Sequence, residues 1–115
     1  MALETAAASA KAMESRMDIA NSVNGVPIRL TYERWYHIVE NHDEMASCFH
    51  DVLEAVEAPD FVVRGNHGTL KAARNLGERK WLVVVYREVS RNDGFVITAY
   101  QLDTRPKGKI AWRRQ

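Results

Sequence analysis

The chain has 115 residues, 46% apolar and 27% charged, which suits one globular domain with a modest core and is too short for two. No apolar run approaches the roughly 18 residues of a membrane span, and no basic start followed by an apolar stretch marks a secretory signal, so the expected location is the cytoplasm. One cysteine excludes a disulfide framework and a multi-thiolate metal site.

The net charge of +1 hides an asymmetry. Residues 1–63 carry four basic side chains against eleven acidic ones, a net of −7, whereas residues 64–115 carry twelve against four, a net of +8. A basic second half is what a polyanion-binding surface requires. An acidic helical layer lying against a basic sheet would give the same split.

In chain order, residues 2–21 are rich in alanine and free of proline and glycine, which predicts a helix. Its Leu3, Ala6, Ala10, Met13, Met17 and Ala20 follow a heptad seam of under three repeats, able to dock on the body or pair with a second copy. Asn24-Gly25 makes a turn, and Val26 to Leu30 reads as a short edge strand because of Pro27. Thr31 is placed to N-cap a helix running to His42, with Glu33 in its first turn. Asp43 can cap a second helix reaching Glu57, whose stripe is Met45, Cys48, Phe49, Val52, Leu53 and Val56. Cys48 on that stripe reads as a small buried side chain. Ala58-Pro59 ends it.

The period then becomes strand-like. Asp60 to Arg64 is a strand, Gly65-Asn66-His67-Gly68 a turn, and Thr69 to Asn75 a second strand. Lys80 to Val89, centred on Trp81 to Tyr86, is the strongest strand, and Ser90 to Gly94 forms a hairpin loop before Phe95 to Asp103. Strict alternation there puts Phe95, Ile97 and Ala99 on one face and Val96, Thr98 and Tyr100 on the other. Arg105 to Gln115 is a tail with Pro106, Gly108, Trp112 and five basic residues. Helices first and an antiparallel sheet afterwards is an α+β arrangement, with the sheet face away from the helices open to a ligand or to the tail.

His37 and His42 are the first chemical candidates. At i and i+5 they point about 140° apart on a helix, which disfavours a shared metal ion, and no third ligand stands nearby in sequence. A general acid or base needs only one imidazole. On the wheel His37 falls on the polar face near Glu33, and His42 falls on the packing stripe at the helix end, where it can bond a free carbonyl. His50 reads as solvated and His67 as an incidental turn residue. From the sheet, Arg64, Lys71 and Arg74 can align cations for phosphates, while Thr98 and Tyr100 add hydroxyl donors. Cations and hydroxyls around a histidine suit cleavage of RNA by its own 2′-hydroxyl, which needs a base, an acid and charge stabilisation at phosphorus. Trp81 and Tyr86 can stack on unpaired bases or belong to the core.

The segment Leu30 to Met45, Leu-Thr-Tyr-Glu-Arg-Trp-Tyr-His-Ile-Val-Glu-Asn-His-Asp-Glu-Met, resembles the helical signature of small phage- and mobile-element-associated domains. Val-Glu-Ala-Pro-Asp-Phe-Val, Trp-Leu-Val-Val-Val-Tyr and Val-Ile-Thr-Ala-Tyr resemble strand signatures of the same group. That group is the phage-type branch of the barnase/EndoU/colicin/RelE-like (BECR) nucleases, and the resemblance covers roughly residues 26–104. It implies that His37 and His42 match paired helical histidines, that Thr98 and Tyr100 match the end of the last strand, and that Arg64 follows the Pro-Asp step. The chain departs from the pattern at Asn41 and Asp43, where an Arg and a Pro are usual.

The resulting expectation is an α+β fold of BECR/RelE-like type, with N-terminal helices packed on one face of a four- to five-stranded antiparallel sheet. Residues 1–25 form a helical arm, 26–104 the α+β domain and 105–115 a basic tail. The expected activity is that of a metal-independent endoribonuclease, a toxin, effector or phage-associated enzyme using no cofactor. His37 serves as the principal acid/base and His42 as the second, Thr98 and Tyr100 assist, and Arg64, Lys71 and Arg74 bind RNA phosphates. Expected partners are RNA and a cognate antitoxin or immunity protein, with no membrane and a homodimer through the N-terminal helix. The alternatives are a non-catalytic RNA- or protein-binding module on the same scaffold, and a purely structural assembly protein.

Overall fold

The computed structural model describes residues 17–115. Of the helical arm expected over residues 1–25, residues 1–16 lie outside the described residues, as does most of the heptad seam on which the expected dimer rests. The elements are β1 (Met17–Asn21), β2 (Pro27–Thr31), α1 (Tyr32–Asn41), a 3₁₀ turn (Asp43–Met45), α2 (Phe49–Glu57), β3 (Phe61–Arg64), a 3₁₀ turn (Asn66–Gly68), β4 (Leu70–Gly77), β5 (Lys80–Ser90), β6 (Asp93–Leu102) and β7 (Ile110–Arg113). The strands form one sheet in the order β1-β2-β6-β5-β4-β3-β7. Every pair is antiparallel except β2 and β6, which run parallel.

This corrects the expected architecture. The sheet has seven strands and is mixed, and a strand hairpin precedes the helices. Two segments read otherwise supply the extra strands. Met17 to Asn21 carried the end of an alanine-rich helical pattern, but it pairs along its whole length with Thr31 to Pro27. The Asn24-Gly25 turn, with Gly25 at φ 78, closes that hairpin, and pairing outweighs a propensity of a few tenths of a kcal/mol per residue. At the other end Ile110 to Arg113 pairs with β3 and covers what would be its open edge. The parallel pair arises because the chain leaves β2, builds the helices and the β3–β6 meander, and returns beside its starting strand.

Both helices pack on one sheet face. Ile38, Met45, Val52, Ala55 and Val56 meet Val62, Ala72, Leu82, Val84, Tyr86, Val96 and Ala99 in a single buried cluster. Each large side chain removed from water there contributes roughly 1.5–3 kcal/mol. Thr31 caps α1 as expected, its Oγ1 accepting from Arg34 N at 3.0 Å. The second helix is shorter than its stripe suggested. Residues 43–45 form a separate 3₁₀ turn and α2 starts only at Phe49, with Cys48 buried just before it.

The opposite face has a smaller cluster of Phe61, Val63 and Ala73 with Trp81 packed against it. Residues 103–109 cross this face over β3: the Arg105 guanidinium carbon lies 4.4 Å from the Phe61 ring centre, and Pro106 is buried. The tail therefore covers the β3 side and leaves the β4–β6 side without a helix. At the β2–β6 contact a Cβ on Gly94 would lie 2.5 Å from Ile28 Cδ1 and 2.6 Å from the Arg87 carbonyl oxygen, so only glycine fits there. No helix among the described residues is long and apolar enough to cross a membrane.

Candidate functional site

Pairing of β2 with β6 stops after Ile28–Gly94 and Arg29–Phe95, so the rest of β6 has no strand on that side. α1 and the first 3₁₀ turn pack there instead. His42 is the C-cap of α1, its N–H donating to the Ile38 carbonyl at 2.8 Å and its own carbonyl accepting from Met45 N at 2.9 Å. These bonds hold the backbone while the imidazole reaches the strand edge. The ring lies 5.8 Å from the Tyr100 ring, tilted by 40°, and its Nδ1 is 3.8 Å from Glu44 Oε2. The side chain is 35% exposed, enough to meet a ligand. From the helix side, Gln101 Nε2 donates to Cys48 Sγ at 3.5 Å and ties β6 to the same turn.

Tyr100 belongs to the helix-free face because a bulge resets the alternation of β6. Val85 pairs with Thr98 but Tyr86 pairs with Val96, which leaves Ile97 as the extra residue. Val96 and Ala99 consequently share the core face, against the expectation of strict alternation, while Thr98 and Tyr100 face the other way. Around the buried Val83 and Val85, that face presents part-exposed Trp81, Phe95, Thr98 and Tyr100. It also carries Arg29, Lys71, Arg87 and Arg113 by strand register, and Arg105 above Phe61. Asp93, paired with Arg29 at 2.8 Å, is the one acidic strand residue on it among the described residues.

The residues singled out from sequence divide into two groups. His42, Thr98 and Tyr100 gather at the β6 edge, and Lys71 is on the same face. Thr98, Val85 and Lys71 stand in register, two strand spacings or roughly 10 Å apart end to end. The Lys71 chain leans the other way, with Cε 3.3 Å from where a Cβ of Gly65 would be. His37 does not join them: it is exposed on α1, and its carbonyl accepts from Asn41 Nδ2 at 2.9 Å. Arg74 is on the helix side, where it bonds the Ala58 carbonyl at 2.7 Å and pairs with Glu54 at 2.9 Å, holding the end of α2 on the sheet. Arg64 is also on the helix side, exposed at the end of β3. Tyr86 is fully buried and takes no part in an accessible site, whereas Trp81 remains at the rim.

Sequence reasoning passed over Glu44, Phe95, Arg87 and Arg105. Alternation along the two long strands places Phe95 opposite Arg87 and was readable in principle. Glu44 reaches His42 only because a 3₁₀ turn replaces the start of the expected helix. Arg105 depends on the crossing of the tail. Among the described residues no three His, Cys, Asp or Glu side chains gather as a metal-binding group. Comparison with protein-family models, with curated proteins and with solved structures finds no match to this chain.

Proposed function

We propose that the chain is a metal-independent endoribonuclease whose reactive histidine is His42, with RNA lying on the helix-free sheet face. The observation that carries this reading is the meeting of the His42 and Tyr100 rings, 5.8 Å apart, at an accessible strand edge beside a basic and aromatic face. The resemblance of residues 26–104 to BECR nucleases suggests the reaction type. In it, His42 takes the proton of a ribose 2′-hydroxyl as that oxygen bonds to the adjacent phosphorus. The P–O5′ bond breaks, the 5′-oxygen receives the proton from the imidazolium, and a 2′,3′-cyclic phosphate remains. Thr98 and Tyr100 supply hydroxyl donors for the charge that develops on the phosphoryl oxygens. Glu44, close to Nδ1, favours the tautomer that leaves Nε2 free to accept the proton.

The test is incubation of the purified chain with single-stranded RNA in EDTA, with products resolved for a cyclic phosphate end. The proposal requires cleavage that His42→Ala abolishes and His37→Ala leaves intact. Salt-sensitive RNA binding with no cleavage by the parent chain would instead support a non-catalytic binding module. The aromatic and cationic residues of the same face favour that second reading.

A further inference from the structure

On the helix side, at the end of the sheet away from the β3 start, an open cleft of about 340 Å³ is lined by Arg64, Gly65, Gly68, Thr69, Leu70 and Glu88. It is separate from the His42–Tyr100 edge. One wall is the 65–69 loop, which is firmly held. Gly65 N donates to the Thr69 carbonyl at 2.9 Å, Thr69 Oγ1 donates to the Asn66 carbonyl at 2.7 Å, and Arg87 Nη2 donates to the His67 carbonyl at 2.7 Å. His67 and Gly68 are both left-handed there, at φ 55 and 77. The other wall is Glu88, whose carboxylate accepts from Ser22 Oγ at 2.6 Å and Asn24 Nδ2 at 2.9 Å. These neutral donors fix its direction and leave its charge uncancelled.

Arg64 is exposed and makes no side-chain hydrogen bond or ion pair among the described residues. Lys71, half-buried on the opposite face, likewise has no side-chain partner among the described residues, and its Cε lies close to Gly65. The cleft therefore offers an unpaired guanidinium at one side, a fixed carboxylate at the other, and the half-buried Leu70 between them. A matching ligand has an anionic end for Arg64, hydrogen-bond donors for Glu88 and an apolar surface to lie on Leu70. The volume is at the lower end for small-molecule sites, enough for one such unit.

We propose that this cleft binds one nucleoside phosphate, with the phosphate on Arg64 and the donors of the ribose or base directed at Glu88. The unit comes either from a free mononucleotide or from one residue of an RNA strand. The assignment does not depend on the cleavage reading, because none of its residues takes part in that chemistry.

The experiment is an amide NMR titration of the full chain with 5′-AMP, 5′-GMP, 5′-CMP and 5′-UMP. Parallel titrations use an RNA hexanucleotide, ribose 5-phosphate and inorganic phosphate. The expected result is a saturable shift of the Gly65, Gly68, Thr69 and Leu70 amides with a nucleotide, weakened at least tenfold in Arg64→Ala. Saturation by mononucleotides assigns a free nucleotide, and saturation by the hexanucleotide alone assigns the strand. The proposal is overturned by binding unchanged in Arg64→Ala, or by no saturation by any nucleotide or RNA. Inorganic phosphate or ribose 5-phosphate binding as tightly as the nucleotides also overturns it, by removing the role of the nucleoside. Arg64 is exposed, so a folding defect is not expected, and an unchanged spectrum outside the loop verifies this.

Discussion

Replacing Tyr86 by Phe should make the protein more stable. Tyr86 is fully buried in the core between the helices and the sheet, and its hydroxyl has no hydrogen-bond partner among the described residues. An unpaired buried hydroxyl costs roughly 1–3 kcal/mol, while the ring that does the packing is kept in phenylalanine. A gain of about 1 kcal/mol at neutral pH follows, or roughly 4 °C in Tm for a domain of this size. The same burial, with the Glu88 charge as a second cause, pushes the phenol well above its ordinary pKa of 10.0. The folded chain thus keeps a proton that the unfolded chain releases. This contribution is fully present below pH 10 and is lost as pH rises above it, at up to about 1.4 kcal/mol per pH unit. Urea unfolding followed by circular dichroism at pH 7 and pH 11 measures both effects. Tyr86→Phe should be about 1 kcal/mol more stable than the parent at pH 7, and the gap should roughly double at pH 11. A variant less stable than the parent at pH 7 would refute the reasoning, since the hydroxyl then has a partner, and so would a gap that does not widen, since the phenol then ionises as readily in the folded chain as in the unfolded one.

Three further outcomes are expected. In the RNA cleavage assay, His42→Ala should lower kcat by 10²-fold or more and Tyr100→Phe by less, with His37→Ala within about twofold of the parent. Affinity for single-stranded RNA, read by fluorescence anisotropy across a salt series, should fall with a log–log slope near −2.8 if about four face cations contact phosphates. The slope should drop to about half in Lys71→Ala/Arg105→Ala and stay unchanged in Arg34→Ala, which lies on the helical side. Gly94→Ala should cost about 1–3 kcal/mol in urea unfolding, because the added carbon has to displace Ile28 or the Arg87 backbone.

The local elements were legible where one pattern governed them. The Thr31 cap, the buried Val52 and Val56 of α2, and the long strand through Trp81 to Tyr86 all follow from residue type and period. The mixed seven-stranded sheet was not legible, because an alanine-rich helical pattern runs into one edge strand and the other depends on a distant partner. Met17–Asn21 becomes a strand through its ladder with β2, and Ile110–Arg113 through its ladder with β3. The bulge at Ile97 is likewise invisible to a period-two reading, yet it puts Val96 and Ala99 on one face. The two histidines illustrate the same limit. A wheel ranks His37 as the exposed one, which it is, but exposure on an isolated helix does not say what stands opposite. His42 meets Tyr100 because α1 ends at the unpaired stretch of β6, a relation between residues 58 positions apart in the chain.

The charge asymmetry can now be divided between its two explanations. Residues 32–57, which build the helical layer, carry seven acidic side chains and one basic one. If that layer existed to neutralise the sheet, its carboxylates would face the basic strand residues. Among the described residues a single ion pair does so, Arg74 with Glu54. Lys71, Arg87, Arg105 and Arg113 are directed to the opposite side, with the full sheet between them and the helical acids. Charge complementarity within the fold thus accounts for Arg74 and leaves the other four without a carboxylate partner among the described residues. Separating the two signs across the sheet gives the molecule a dipole along the sheet normal. Such a dipole makes the helix-free face, where four cations stand without carboxylate partners, the side of more positive potential.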